Sequence, residues 1–114
     1  MNPLELAHSI VNTLEEKKGE NIVLMDLQGV VSFTDYFVIC SGSSDRMLNG
    51  LADAVSDEVR AQYQIKTRPQ GNAAAGWVIV DCGNVILHVF APEQRAYYNL
   101  EELWRDGKTL LKLQ

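Results

Sequence analysis

Cysteine is scarce in this chain, with only Cys40 and Cys82 among 114 residues and no further ligand beside either. That excludes a disulfide framework and argues against a structural zinc site. Each falls inside an expected strand, where a thiol in a reducing compartment reads as a small buried hydrophobe. Basic residues are also few: ten Lys and Arg stand against fifteen Asp and Glu, for a net charge of -5. An acidic chain gains no counterion-release energy from phosphates, so general DNA or RNA binding is disfavoured. A basic protein partner fits better, since opposite potentials speed encounter. No apolar run approaches the roughly 20 residues that span a bilayer. The start, Met1-Asn2-Pro3-Leu4-Glu5, lacks the basic region of a secretory signal. The expectation is one soluble, cytoplasmic domain with no membrane association.

Catalytic signatures are missing too. Gly42 is not followed by Gly-Lys-Ser/Thr, so there is no P-loop. Neither a Gly-x-Ser-x-Gly elbow nor a His-Glu-x-x-His pair occurs. Ser41-Gly42-Ser43-Ser44 does join a strand to a helix, where backbone N–H groups can cradle an anion. A nucleotidyltransferase-like enzyme would use such a Gly-Ser turn with two carboxylates on the next strand to hold magnesium. The next candidate strand, Ile65-Lys66-Thr67-Arg68, has no acid. Asp26, Asp35 and Asp81 stand at strand ends, and would form a metal site only if three separate ends met. The chain therefore reads as a binding domain, with no catalytic residues, metal or cofactor expected. A nucleotide-binding enzyme working through Gly42-Ser43 is the competing class.

What the chain does contain is one well-defined hairpin, Trp77 to Phe90. Gly83-Asn84 reads as a two-residue turn that sets Cys82 opposite Val85. Side chains alternate along a strand, so this register sorts them onto two faces. One collects Val78, Val80, Cys82, Val85, Leu87 and Val89, all core. The other collects Trp77, Ile79, Asp81, Ile86, His88 and Phe90, mixing aromatics with one acid and one imidazole. Aromatic anchors beside a few polar groups suit recognition. Trp77, directly across from Phe90, either stacks beneath a helix or forms a binding hot spot.

Around the hairpin, Asn2 is an N-cap and Pro3 the first residue of an amphipathic helix of about four turns, closed by Gly19. Ile22 to Leu27 and Asp35 to Ser41 read as buried strands. Ser43 or Ser44 caps a long helix with the apolar stripe Leu48, Leu51, Ala52, Val55 and Val59. Ile65 to Arg68 suggests a short strand, and Pro69 to Gly76 is the least ordered stretch. Pro92 opens a short helix through Arg95, Tyr97 and Tyr98, followed by a turn or two carrying Leu103 and Trp104. These elements give an α/β domain around a mixed sheet of four or five strands flanked by helices. Residues 106–114 carry no clear signal beyond Leu110, Leu111 and Leu113.

The segments Asp26-Leu27-Gln28-Gly29, Ser32 to Ser44, Gly76 to Phe90 and Arg95 to Trp104 resemble the ribosomal silencing factor family, also called the Iojap family. The similarity runs in order from the first helix to Trp104, and the family domain is expected over 1–105, with 106–114 as a tail. The resemblance implies a nucleotidyltransferase-like α/β fold without the catalytic acids. It implies binding to the large ribosomal subunit at its fourteenth protein, a small basic protein on the joining face. The bound factor would block docking of the small subunit and lower translation when nutrients are scarce. Carried over by position, the recognition surface would hold Trp77, Ile79, Asp81, His88 and Phe90, with Asp35, Tyr36, Arg95 and Tyr98 near its rim. A homodimer of the free protein, competing for that surface, is a further implication. A large-subunit assembly factor that leaves joining untouched is the alternative role.

Overall fold

The computed structural model describes residues 2–114. Helix α1, Pro3–Glu16, starts where the Asn2 side chain accepts a hydrogen bond from the Leu4 amide at 2.8 Å. Its buried face is Leu6, Ala7, Ile10, Val11 and Leu14. The helix closes two residues earlier than its glycine suggests: Lys17 is the C-cap and Lys18 takes the left-handed conformation at φ 69°. Gly19 serves a different need. A Cβ there would stand 2.6 Å from the Cys40 sulfur, so only glycine lets the chain pass that close to the sheet.

Strand β1, Glu20–Asp26, pairs antiparallel with β2, Tyr36–Ser41, every residue of which is buried. Helix α2, Asp45–Tyr63, is capped by Ser44, whose hydroxyl accepts from the Met47 amide at 3.1 Å. Its apolar stripe of Leu48, Leu51, Ala52, Val55 and Val59 is buried as periodicity requires. Strand β3, Gln70–Asn72, and one 3-10 turn, Ala73–Ala75, lead into the hairpin of β4, Trp77–Asp81, and β5, Val85–Phe90. Helices α3, Pro92–Tyr98, and α4, Leu100–Leu103, follow, and β6, Lys108–Leu113, ends the chain. Among the described residues, no helix is long and apolar enough to cross a membrane.

The sheet runs β3-β4-β5-β2-β1-β6, with β2 and β5 parallel and the other neighbours antiparallel. Among the described residues it therefore has six strands, two of them unannounced by pattern. Ile65–Arg68 is not a strand; the short one lies instead at Gln70–Asn72, inside the stretch expected to be least ordered. Gln, Gly and Asn are poor strand formers, and these residues are extended because the edge of β4 offers them partners. The tail likewise supplies an edge strand, pairing Asp26 with Lys108 through Ile22 with Leu113. Gly107 makes that reversal possible, since a Cβ there would lie 2.5 Å from Leu27 Cδ2 and 2.8 Å from the Asp26 carbonyl.

The hairpin register is the one that a two-residue turn requires. Trp77 faces Phe90, Ile79 faces His88 and Asp81 faces Ile86. Val78, Val80, Cys82, Val85, Leu87 and Val89 all join the core beneath α1 and α2. The opposite sheet face carries Val23, Met25, Leu27, Phe37, Ile39 and Phe90, with Leu100 of α4 packed on them. Two long helices seal the first face. Two short ones cover the second only in part.

Candidate functional site

The partly covered face holds an open groove of about 410 Å³. Its floor is Phe37 of β2, Ile79 of β4, and Ile86 and His88 of β5; Leu100, Leu103 and Trp104 form one wall. Trp77 and Asp81, at opposite ends of β4, both line it. These residues share a face because period two leaves no choice once the turn is set. Phe33, on the connection between β1 and β2, is 56% exposed, and Leu103 is 63% exposed. Large apolar side chains so exposed around an apolar groove mark a surface prepared for contact.

Trp77 is half-buried and held on three sides. Its ring stacks on Phe90 at 4.9 Å, meets Tyr98 of α3 at 4.5 Å, and donates its Nε1–H to His88 Nδ1 at 3.1 Å. It both stacks beneath a helix and keeps a face toward the groove. His88 sits edge-on to Phe37 at 4.5 Å and is only 6% exposed. Burial pushes the His88 pKa down from 6.5 to about 4. Its folded-state pKa is thus depressed, so the unfolded chain binds the extra proton between those values. Stability contributed by His88 is complete above about pH 6.5 and declines toward pH 4, by up to about 1.4 kcal/mol per pH unit. Urea denaturation at pH 7 and pH 5 should show this loss, and His88→Phe should flatten it.

The remaining candidates separate. Phe90 is 1% exposed under Trp77 and Tyr98, so it is core and supports the surface without forming it. Tyr36 points to the α1 and α2 side of the sheet, because it alternates with Phe37, and is buried there. It cannot share a rim with Trp77. Asp35 accepts a hydrogen bond from Asn84 at 2.9 Å and fastens β2 to the hairpin turn. Tyr98, 45% exposed, borders Trp77.

Arg95 turns out to be a clamp. Its Nε donates to Glu101 Oε1 at 3.0 Å and its Nη2 to Oε2 at 3.3 Å, while Nη1 donates to Ser41 Oγ at 2.9 Å and to the Asn21 carbonyl. With 13% of its side chain exposed, it joins α3 and α4 to β1 and β2. Its carboxylate partner, Glu101, comes from the next helix, α4.

The possible chemical centres are occupied by structure. Asp26 Oδ1 accepts from the Gln28 amide at 2.9 Å and Asp81 Oδ1 from the Gly83 amide at 2.8 Å, so both cap turns. Among the described residues no three His, Cys, Asp or Glu gather as metal ligands. Ser44 caps α2, Ser41 accepts from Arg95, and Gly42 lies against Leu48 and Met47. The strand that follows α2 is Gln70–Asn72, which also lacks an acid. Burial pushes the thiols of Cys40 and Cys82 up to about 12 and about 11, which keeps them protonated and unreactive.

Phe33, Phe37, Leu100, Leu103 and Trp104 line the groove without having been singled out by the hairpin pattern. One signal was present. Val30, Val31 and Phe33 are apolar residues in a connection, where burial alone gives no reason for them.

Residues 1–114 match the family model described as ribosomal silencing factor during starvation. The chain is 36% identical over 110 residues to the ribosomal silencing factor RsfS of Halalkalibacterium halodurans, covering 96% of this chain and 94% of the relative. A crystal structure of a Chromobacterium violaceum protein superposes with a TM-score of 0.85 at 30% identity, covering 91% of this chain and 87% of the other. The mouse mitochondrial assembly of ribosomal large subunit protein 1 is 32% identical over 101 residues, covering 83% of this chain and 43% of that protein.

Proposed function

Because this chain belongs to the family of ribosomal silencing factors during starvation, we propose that it binds the large ribosomal subunit in the cytoplasm and blocks joining of the small one. The docking face is the aromatic groove, and its target is the basic fourteenth protein on the joining face. The observation that carries this reading is the groove itself: apolar, incompletely covered and edged by exposed Phe33 and Leu103. A domain of 114 residues seated there acts by bulk, so translation falls without any chemical step. The net charge of -5 supports a basic partner, since complementary potentials raise association rates.

The test is subunit joining on sucrose gradients, with purified protein added to large subunits before small ones. Cosedimentation with the large subunit and failure to form whole ribosomes is the expected result. Binding without loss of joining would favour the second reading, a large-subunit assembly factor, which the name of the mouse relative supports. No binding at all would return attention to the Gly42-Ser43 turn as a nucleotide site, to be checked by magnesium-dependent nucleotide binding and Ser43→Ala.

Charge at the groove gives a kinetic prediction. Asp81→Lys should slow association with large subunits and flatten its dependence on salt. Asp81 also caps Gly83, so Asp81→Asn, which keeps that acceptor, separates charge from turn geometry. Stopped-flow association at two ionic strengths reads both, and rates equal to wild type at low salt would remove Asp81 from the interface.

A further inference from the structure

His88 poses a problem that packing does not solve. Neutral imidazole has one donor and one acceptor nitrogen. Nδ1 accepts the Trp77 indole N–H at 3.1 Å, so the proton resides on Nε2. That nitrogen exposes less than 1 Å² and meets no acceptor among the described residues. Its surroundings are apolar: Phe37 lies edge-on at 4.5 Å and Ile79 is the cross-strand neighbour. An unpaired N–H here destabilises the domain, and a leucine or phenylalanine would fill the site without that penalty.

We infer that His88 Nε2–H is the polar contact of the groove, donating a hydrogen bond to a backbone carbonyl on an apolar segment of the partner protein. This rests on the groove being the ribosomal docking face. The Trp77 bond fixes the tautomer, so the donor is set before the partner arrives and no reorganisation follows. Access for the acceptor requires groove side chains to shift, and Phe33 is the most exposed aromatic among those that line it. That side chain is more than half exposed, with ring contacts to Phe37 at 6.1 Å and Trp104 at 6.2 Å. Exposed Asp81 in the same groove and the net charge of -5 disfavour a nucleic-acid phosphate as the acceptor. They favour a carbonyl flanked by cationic side chains. A segment lacking an acceptor at this point would bury the N–H permanently, which makes His88 a specificity residue.

Two amide substitutions separate its two nitrogens. His88→Asn places an oxygen near the Nδ1 position, keeping the acceptor for Trp77 and removing the distal donor. His88→Gln places an N–H near the Nε2 position. With salt-washed bacterial large subunits as the probe, His88→Asn should lose at least about tenfold in affinity, while His88→Gln stays within about threefold. Thermal unfolding and near-ultraviolet circular dichroism establish that both are folded. Equal binding by both variants and wild type would overturn the assignment, as would an equal loss in both. Wild type that fails to cosediment would instead overturn the docking reading and this inference with it. Competition by protein-free large-subunit RNA would overturn the choice of a protein segment. A measurement without substitution stands beside these: deuterium exchange at the His88 Cε1 proton should slow when subunits are added, and an unchanged rate counts against the contact.

Discussion

Trp77→Ala is expected to lower affinity for the large subunit by about 2 kcal/mol or more, roughly thirtyfold, and to abolish inhibition of joining at concentrations where wild type is effective. The substitution removes one of the two tryptophans that line the groove. It also strips the cover from Phe90, takes one ring from Tyr98 and leaves His88 Nδ1 without its donor. Stability should therefore fall as well. Complete burial would cost about 3 to 5 kcal/mol on truncation, and a half-buried tryptophan about half of that. The two effects are read separately, by urea denaturation and by sedimentation of the folded fraction. Trp77→Phe keeps one stacked ring but loses the indole N–H and part of the ring area, so it should retain more stability than Trp77→Ala. If Trp77→Ala loses stability while its folded fraction binds like wild type, Trp77 is packing alone and the groove is not the docking face.

Arg95→Ala should damage the fold more than any other change to a polar side chain discussed above. Arg95 makes hydrogen bonds to Glu101, Ser41 and Asn21 from a nearly buried position. Removing it leaves the Glu101 carboxylate and two acceptors without that donor, at a cost of about 3 kcal/mol. For a domain near 100 residues this lowers the thermal midpoint by about 10 to 20 °C. Helices α3 and α4 lose their tie to β1 and β2, and α4 carries Leu100 and Leu103 of the groove wall. Binding therefore weakens through the wall and not through a lost contact. Adding Glu101→Ala to Arg95→Ala should cost little more, because the stranded charge goes with it. A variant as stable as wild type but defective in binding would show instead that Arg95 meets the partner directly.

The candidate site was legible only where local rules decide. Trp77, Ile79, Asp81 and His88 could be placed on one face because a two-residue turn and period-two alternation set their positions within fourteen residues of chain. Tyr36 shows the limit. The residues that follow it, Phe37 to Cys40, are all apolar, so no alternation reveals which side of a fully buried strand it faces. Arg95 shows another, since its partners Asn21 and Ser41 lie 74 and 54 residues away.

By itself the sequence determined the α/β class, both long helices with their N-terminal caps, the four inner strands and the register of the hairpin. Each depends on spacing, on a capping side chain or on a turn that acts over a few residues. Only the tertiary structure decided which sheet face stays open. That depends on how far α3 and α4 reach across it, on the Arg95 clamp that holds them, and on Phe33 arriving from a separate loop. The two edge strands belong with these, because Gln70–Asn72 and Lys108–Leu113 are strands through the neighbours that pair with them. Exposure and strand pairing are properties of surfaces brought together from distant parts of the chain, and no local pattern encodes them.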